Sequence, residues 1–200
     1  MTTRVRNRAG RAAIGRLFQA ATDVFGSVGY NAATVDDIVA RSGMARTTFY
    51  EYFGGKDDLF RAVLTEVGDD IHAHALSLQP IRDDAASQAS LRVWVDGFVT
   101  LYARHAALLC AWTEAEAGAG EFGAFGPKLF GSTTKAIAAA IRAGDPTDVD
   151  PGASAVAFLS VIERLNYYAA AGLLGVDADA ITDTLTAVIH DSLFGASRRR

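Results

Sequence analysis

The chain has 200 residues, of which 50% are hydrophobic and 21% are charged, so disorder is excluded as its main state. Its formal net charge is -4, and a balance of that sign over the whole surface argues against nucleic acid as a partner. The single cysteine, Cys110, excludes an internal disulfide and a multi-cysteine metal site. These features predict one ordinary domain or two small ones in a reducing, cytoplasmic compartment.

The sequence predicts neither a secretory signal nor a membrane span. The basic N-terminus is not followed by an unbroken apolar run. The most hydrophobic stretch, 155–176, has Glu163, Arg164 and Asn166 at its centre, where each charge would cost about 2.5 to 3.5 kcal/mol in lipid. A buried helix is therefore expected there. Three roles stay open for its polar residues: internal hydrogen bonding, setting the register of a dimer, or orienting a ligand.

The spacing of apolar residues predicts an all-α chain. Between glycine and proline breaks, these residues recur three or four positions apart. A first amphipathic helix is predicted over 8–25, ending near Gly26 and Gly29. A second follows Thr34, whose hydroxyl can cap the free amides, and a third covers about 45–52.

A fourth helix is predicted from about residue 56 to about Leu78, before Pro80, long enough to leave one unit and enter another. Asp150 as N-cap, with Pro151 at the first helical position, marks a later helix start. We divide the chain into domains 1–55 and 56–200. Beyond the fourth helix, five more are predicted, at about 84–104, 106–117, 127–143, 151–173 and 177–194.

Charge is divided unevenly along the chain, with a change of sign after Lys56. Up to Lys56 there are eight basic and four acidic residues, a net charge of +4, which leaves -8 for the rest of the chain. The basic first part reopens the nucleic-acid class that the total charge disfavours.

Residues 34–53 have the layout of a helix-turn-helix. A capped helix is followed by Gly43, which can take the positive backbone angle of a tight turn, and then by a second helix. At about 100° per residue, Ala45 and Phe49 fall on one side of the second helix and are predicted to pack inward.

The opposite side of this second helix offers groups that read DNA. Arg46, Thr47 and Tyr50 present a guanidinium, a hydroxyl and a phenol, which suit guanine edges, thymine methyls and phosphate oxygens. Glu51 is an acid close to this face. The sequence does not decide whether Glu51 accepts a hydrogen bond from Arg46 or from a cytosine amine.

A stretch of about sixty residues resembles the TetR family of bacterial transcriptional regulators, on positions that lie between Ala21 and Leu59. The resemblance is carried above all by residues 48–53, TFYEYF, followed by KDDL at 56–59. Met44 and Thr47 depart from it, standing where valine and glycine are frequent in the family. The resemblance implies phosphate or base contacts from Thr34, Arg46, Thr47, Thr48, Tyr50, Tyr52 and Lys56.

The resemblance also implies that the remaining chain is a helical ligand-binding and dimerisation domain. Its aromatic side chains supply more area than a simple bundle needs, although each could be ordinary core. The candidate ligand-binding residues are Trp94, Phe98, Tyr102, Trp112, Phe122, Phe125, Phe130, Phe158 and Tyr167.

The helices at 151–173 and 177–194 carry apolar stripes that could pair with a second copy, as in the four-helix dimer interface of the family. The stripes are formed by Ala155, Phe158, Leu159, Ile162 and Leu165 in the first helix, and by Ile181, Leu185, Val188 and Ile189 in the second.

The predicted function is a homodimeric repressor that a small hydrophobic or aromatic ligand releases from a palindromic operator. No cofactor is expected, and no metal, because His72 and His74 lie on different sides of a helix. No nucleophile–base pair or phosphate loop supports catalysis. One alternative is a helical small-molecule or lipid-binding protein, or an enzyme, whose N-terminal module is only an interaction surface. Another is an activator or architectural DNA binder without a small ligand.

Overall fold

The computed structural model describes residues 8–117, 125–146, 149–173, 175 and 177–195. These residues form helices and no strand, which confirms the all-α prediction. The helices are α1 (Arg8–Ala32), α2 (Val35–Ser42), α3 (Arg46–Tyr52), α4 (Lys56–Leu76), α5 (Ala85–Ala117), α6 (Phe125–Ala143), α7 (Pro151–Ala170) and α8 (Ala178–Phe194).

Helix α1 is longer than predicted, because Gly26 does not end it. A Cβ at Gly26 would lie 2.7 Å from the Cβ of Ala107, so this glycine allows a close approach of α5 to α1. The helix is instead kinked at Gly29, with φ 77° and ψ 168°, and runs on to Ala32.

The prediction of two helices over 84–104 and 106–117 is wrong, since α5 is one helix of 33 residues. Neither glycine nor proline stands at 104–106, so nothing in the backbone chemistry interrupts it there. At α7, Asp150 accepts a hydrogen bond from the amide of Ala153 at 2.7 Å, and Pro151 is the first helical residue. That helix start is confirmed.

The chain forms two compact units. The first unit consists of Met1–Val67 and Ala107–Gly123, and the second of Gly68–Ala106 and Ala124–Arg200. In the first unit, Leu17, Phe25, Ile38, Phe49 and Phe60 are each less than 2% exposed. Each such side chain stabilises the unit by about 1.5 to 3 kcal/mol through burial.

The second unit has a core of aliphatic and aromatic side chains with a few buried polar groups. Asn166 is buried in α7 and donates a hydrogen bond from Nδ2 to the carbonyl of Ile162 at 2.8 Å. Of the three roles considered for its polar residues, internal hydrogen bonding therefore applies to Asn166. Arg164 lies over the ring of Tyr167 at 5.2 Å. None of the helices in the described ranges combines the length and hydrophobicity needed to cross a bilayer.

Candidate nucleic-acid interface

The start of α2 is fixed by a capping box. The hydroxyl of Thr34 accepts from the amide of Asp37 at 3.2 Å, and the carboxylate of Asp37 accepts from the amide of Thr34 at 3.0 Å. These bonds satisfy amides that have no partner inside the helix. The predicted cap is therefore confirmed, and Thr34 itself is exposed.

The turn after α2 depends on one glycine. Gly43 has φ 66° and ψ 24°, the left-handed conformation that glycine adopts without steric cost. The amide of the next residue, Met44, donates to the carbonyl of Val39 at 3.2 Å. This confirms the predicted tight turn, which sets the direction in which α3 leaves α2.

One aromatic side chain anchors α3 from the inside. Phe49 is fully buried, and its ring lies 6.0 Å from that of Phe53, which in turn lies 6.1 Å from the ring of Phe18. The inward prediction is confirmed for Phe49 but wrong for Ala45. Ala45 is the N-cap of α3, with φ -72° and ψ 145°, and is exposed.

The outer side of α3 carries the predicted DNA-binding residues. Arg46, Thr47 and Tyr50 are exposed, whereas Thr48 and Tyr52 are half-buried. The structure therefore brings the first three together on one accessible face of a seven-residue helix.

The guanidinium of Arg46 is held from two helices. Its Nη1 donates to the carboxylate of Asp36 in α2, and its Nη2 donates to the hydroxyl of Tyr50 at 3.4 Å. The guanidinium carbon also lies 5.7 Å from the centre of the Tyr50 ring. The hydrogen bond from Arg46 to Asp36, followed by that to Tyr50, raises the pKa of Arg46, so the side chain stays charged.

Lys56 has a structural partner in addition to its predicted contact with phosphate. Its ammonium donates to the backbone carbonyl of Tyr30 at 2.9 Å. The same ammonium lies 4.4 Å from the centre of the aromatic ring of Tyr30. The hydroxyl of Tyr30 donates to Asp57 at 2.5 Å. Lys56 and Asp57 thus connect the first turn of α4 to the end of α1.

A carboxylate that the sequence analysis did not single out completes this junction. Glu114, near the end of α5, accepts from the amides of Tyr30 at 3.1 Å and Asn31 at 3.4 Å, and from the side-chain amide of Asn31 at 2.8 Å. These donors follow the kink at Gly29 directly. No local pattern could have shown this contact, because Glu114 lies 84 positions from Tyr30 in the sequence.

The predicted ligand-binding aromatics of the second part of the chain occupy different environments. Trp94, Phe98, Tyr102 and Phe158 are buried, and Trp112, Phe130 and Tyr167 are half-buried. Phe122 and the side chain of Phe125 lie outside the described residues.

Trp94 has a defined partner in the second unit. Its indole nitrogen donates to the carbonyl of His74 at 2.9 Å, and the His74 ring stacks on it with centroids 5.1 Å apart. His74 Nε2 lies 2.9 Å from the carbonyl of Trp94. The pair therefore joins α4 to α5.

Two grooves are found in the described part of the second unit. One, of about 520 Å³, lies between α4 and α5, and the other, of about 320 Å³, lies between α5 and α8. The predicted aromatic residues line neither of them.

Apolar side chains of α7 and α8 point both inward and outward. Of the two predicted dimer stripes, Ala155, Phe158, Leu159, Ile162, Ile181, Leu185 and Ile189 are buried within the second unit. Placing these seven at a dimer seam is wrong, because they already fill their own core. Val188, a member of the predicted stripes, is 52% exposed. Three further apolar residues that the stripes did not include are also exposed: Val156 (46%), Val161 (44%) and Tyr168 (38%).

Comparisons with known proteins agree with this geometry. Residues 17–63 match the family described as "Bacterial regulatory proteins, tetR family". The HTH-type transcriptional activator FasR of Mycolicibacterium smegmatis is 33% identical over 84 residues, covering 42% of this chain and 37% of FasR. The HTH-type transcriptional regulator EthR of the same species is 27% identical over 171 residues, covering 81% of this chain and 77% of EthR.

A solved structure has the same fold over most of its length. The tetR-family transcriptional regulator from Streptomyces coelicolor superposes with a TM-score of 0.75 at 17% identity, covering 94% of this chain and 83% of that one.

A capped helix, a left-handed turn and a second helix with an exposed polar face, followed by a helical body, define a DNA-binding regulator of the helix-turn-helix class. The helix-turn-helix segment, residues 17–63, matches the TetR family of bacterial regulatory proteins, and over 81% of its length the chain is similar to the transcriptional regulator EthR. Regulators of this family bind DNA operators and typically form homodimers.

Proposed function

We propose that this chain is a homodimeric repressor that places α3 of each protomer in successive major grooves of a palindromic operator. The observation that carries the proposal is the outward face of α3, where Arg46, Thr47 and Tyr50 are exposed while Phe49 fixes the helix from inside. Residues 1–55 are then the DNA-binding domain and 56–200 the ligand-binding and dimerisation domain.

The seven predicted contacts divide by their surroundings. Arg46, Thr47 and Tyr50 are exposed enough to reach base edges, with Thr48 and Tyr52 at the flank. Thr34 lies at the N-terminus of α2, where the amides of Val35 and Asp36 lie outside the capping box and can donate to a phosphate. Lys56 keeps two ammonium hydrogens for a phosphate after its bond to Tyr30.

The proposed dimer uses the outward faces of α7 and α8. Val156, Val161 and Tyr168 on α7 and Val188 on α8 are large apolar side chains that the second unit leaves in solvent. Burying them against the same residues of a second copy removes this apolar surface from water. Binding to successive major grooves requires the two recognition helices of the dimer to lie about 34 to 36 Å apart, or a multiple of this distance.

A small hydrophobic or aromatic molecule is the proposed effector, held by the aromatic side chains of domain 56–200. Within the second unit, Phe130 and Tyr167 are the half-buried members and therefore the ones that a ligand could cover. The ligand releases DNA only if it binds the DNA-incompetent state of the dimer more tightly than the competent one.

Substitution of Arg46 tests the DNA-binding face. A palindromic duplex is first selected from a randomised library by the wild-type protein and then titrated by fluorescence anisotropy at several salt concentrations. Arg46→Ala is expected to weaken binding by about 5- to 150-fold, since one good base contact is lost. Arg92→Ala is the matched control, because Arg92 is also exposed and paired with a carboxylate, Asp183, but lies in the second unit. Equal affinities of wild type and Arg46→Ala would contradict the proposal.

Activation is the second candidate for the direction of regulation, because FasR is an activator. A reporter gene placed behind the selected duplex distinguishes the two. A repressor lowers expression of the reporter, and adding the effector restores that expression. An activator raises expression of the reporter instead.

A further inference from the structure

We propose that Asp36 is a positioning residue that orients the guanidinium of Arg46 for base reading and offsets its charge when no DNA is bound. The inference rests on the proposed function, since it assigns how one DNA-contacting side chain obtains its selectivity.

The first argument is the geometry around Arg46. Asp36 lies in the first turn of α2, and its carboxylate accepts from Nη1 of Arg46 in α3. Tyr50, one turn further along α3, accepts from Nη2 and places its ring beside the guanidinium. The planar group is therefore held on two sides by residues of two different helices.

The second argument is that Asp36 takes no part in the capping box. Thr34 and Asp37 make the capping hydrogen bonds of α2 with each other. A carboxylate in this first turn gains some stability from the helix dipole. The pairing with Arg46 gives it a second role at the recognition face.

The third argument concerns what an arginine needs in order to read a guanine. The guanidinium has five N–H donors, and the bonds to Asp36 and Tyr50 use two of them. The remaining donors suffice for the bidentate contact to a guanine edge. An arginine that is already oriented loses less conformational entropy when it makes that contact.

The fourth argument is electrostatic. A free arginine attracts any phosphate, whatever the sequence. The carboxylate of Asp36 repels phosphates, so it weakens non-specific binding while leaving the hydrogen bonds to a correct base in place. Removing its charge should therefore reduce selectivity and increase affinity for unselected DNA.

The test compares Asp36→Asn with wild type against one duplex library with a randomised core, followed by sequencing of the bound fraction. Asp36→Asn is expected to lose about two- to fivefold in preference at the base positions where Arg46→Ala also loses preference, the range expected for an exposed ion pair. Affinity for an unselected duplex is expected to rise by about the same factor. Asp36→Glu, which keeps the charge, is expected to recover most of the preference.

Asp23→Asn is the matched control, because Asp23 forms an ion pair with Arg41 that joins α1 to α2 in the same unit. It removes the same charge and should leave the base preferences unchanged. In the Arg46→Ala background, Asp36→Asn should have no further effect on preference, as the double-mutant cycle requires.

The outcomes separate the two proposals. If Arg46→Ala changes the base preferences and Asp36→Asn does not, the role of Asp36 is overturned and the proposed function stands. Uniform weakening of all duplexes by Asp36→Asn, with no base position affected, also overturns it. If Arg46→Ala binds like wild type, the proposed DNA-reading face itself fails, and the role of Asp36 with it.

Discussion

The α2–α3 turn and the α7–α8 pair have equally clear helical patterns, yet only the turn is explained by its own residues. In the turn, Thr34 caps α2 and Gly43 ends it through contacts within the same short segment. In α7 and α8, the same apolar spacing fits a stripe that faces the core and one that faces a second copy. Hydrogen bonds of the backbone at a helix end are thus determined by nearby residues in the sequence. The direction in which an apolar stripe faces depends instead on every helix that packs against it.

Two substitutions on α8 give the largest expected effects and separate its inner from its outer face. Leu185 is 1% exposed and Val188 is 52% exposed, three positions later. Leu185→Asp should lower the free energy of unfolding by more than about 4 kcal/mol, because it buries an unpaired charge. Val188→Asp should keep the helical content and dissociate the dimer. Circular dichroism with urea and light scattering measure the two effects, and a Val188→Asp dimer at micromolar concentration would remove Val188 from the proposed seam.

The inner and outer sides of α3 can be separated in the same way. Phe49→Ala should destabilise the first unit by about 3 to 5 kcal/mol, since it leaves a cavity at a fully buried site. Tyr50→Ala, at a site that is 48% exposed, should cost less than about 1 kcal/mol and act on DNA affinity instead. Urea unfolding followed by circular dichroism gives both values. Similar losses for the two variants would mean that the side chains do not differ in burial.

A third pair of substitutions compares Gly43 and Gly29, two glycines of the first unit that have positive φ. Gly43→Ala should cost about 1 to 2 kcal/mol, because φ is 66° and no other atom lies within 4 Å of the added Cβ. Gly29→Ala should cost more, because the Cβ would also lie 2.5 Å from the Glu114 carboxylate. In a Glu114→Ala background this excess should shrink to the part that comes from the backbone, since φ 77° with ψ 168° is a conformation that essentially only glycine adopts. If thermal melting finds the excess unchanged, the contact with Glu114 is not its cause.

The smallest expected effect is the pH dependence of an ion pair in the first unit. The hydrogen bond from Arg41, followed by that from Gln19, lowers the pKa of Asp23 below its ordinary value. The stability from this pair is therefore fully present above the ordinary pKa of about 3.9. It is lost as the pH falls through the lowered pKa of the folded state. The difference in unfolding free energy between wild type and Asp23→Asn should shrink between pH 6 and pH 2, and a constant difference would contradict this assignment.

Much of the α2–α3 turn could be predicted from the sequence, because its determinants are local. The cap at Thr34, the left-handed Gly43 and the burial of Phe49 each follow from a residue type at a fixed spacing. Arg46, Thr47 and Tyr50 could be placed on one face for the same reason, while their contacts with DNA stay a prediction.

The errors arise where distant parts of the chain meet. Gly26 looks like a helix end but serves the approach of Ala107, and the contacts of Glu114 have no signature in the neighbouring sequence. Nothing in the spacing of the sequence shows that Asp36 reaches Arg46 across the turn. The prediction of which sides of α7 and α8 face a second copy was wrong, because the apolar spacing of two helices does not show which other helices pack against them.

The contact between Glu114 and the end of α1 limits how this protein can be cut into pieces. A fragment that stops after α4 keeps every residue of the helix-turn-helix but loses the carboxylate that accepts from Tyr30 and Asn31. In that fragment, the two backbone amides after Gly29 must donate to water instead. The Tyr30 carbonyl that accepts from Lys56 is then less firmly fixed. A fragment meant to carry the DNA-binding helices alone therefore needs the distant segment 107–117 as well as the first 67 residues.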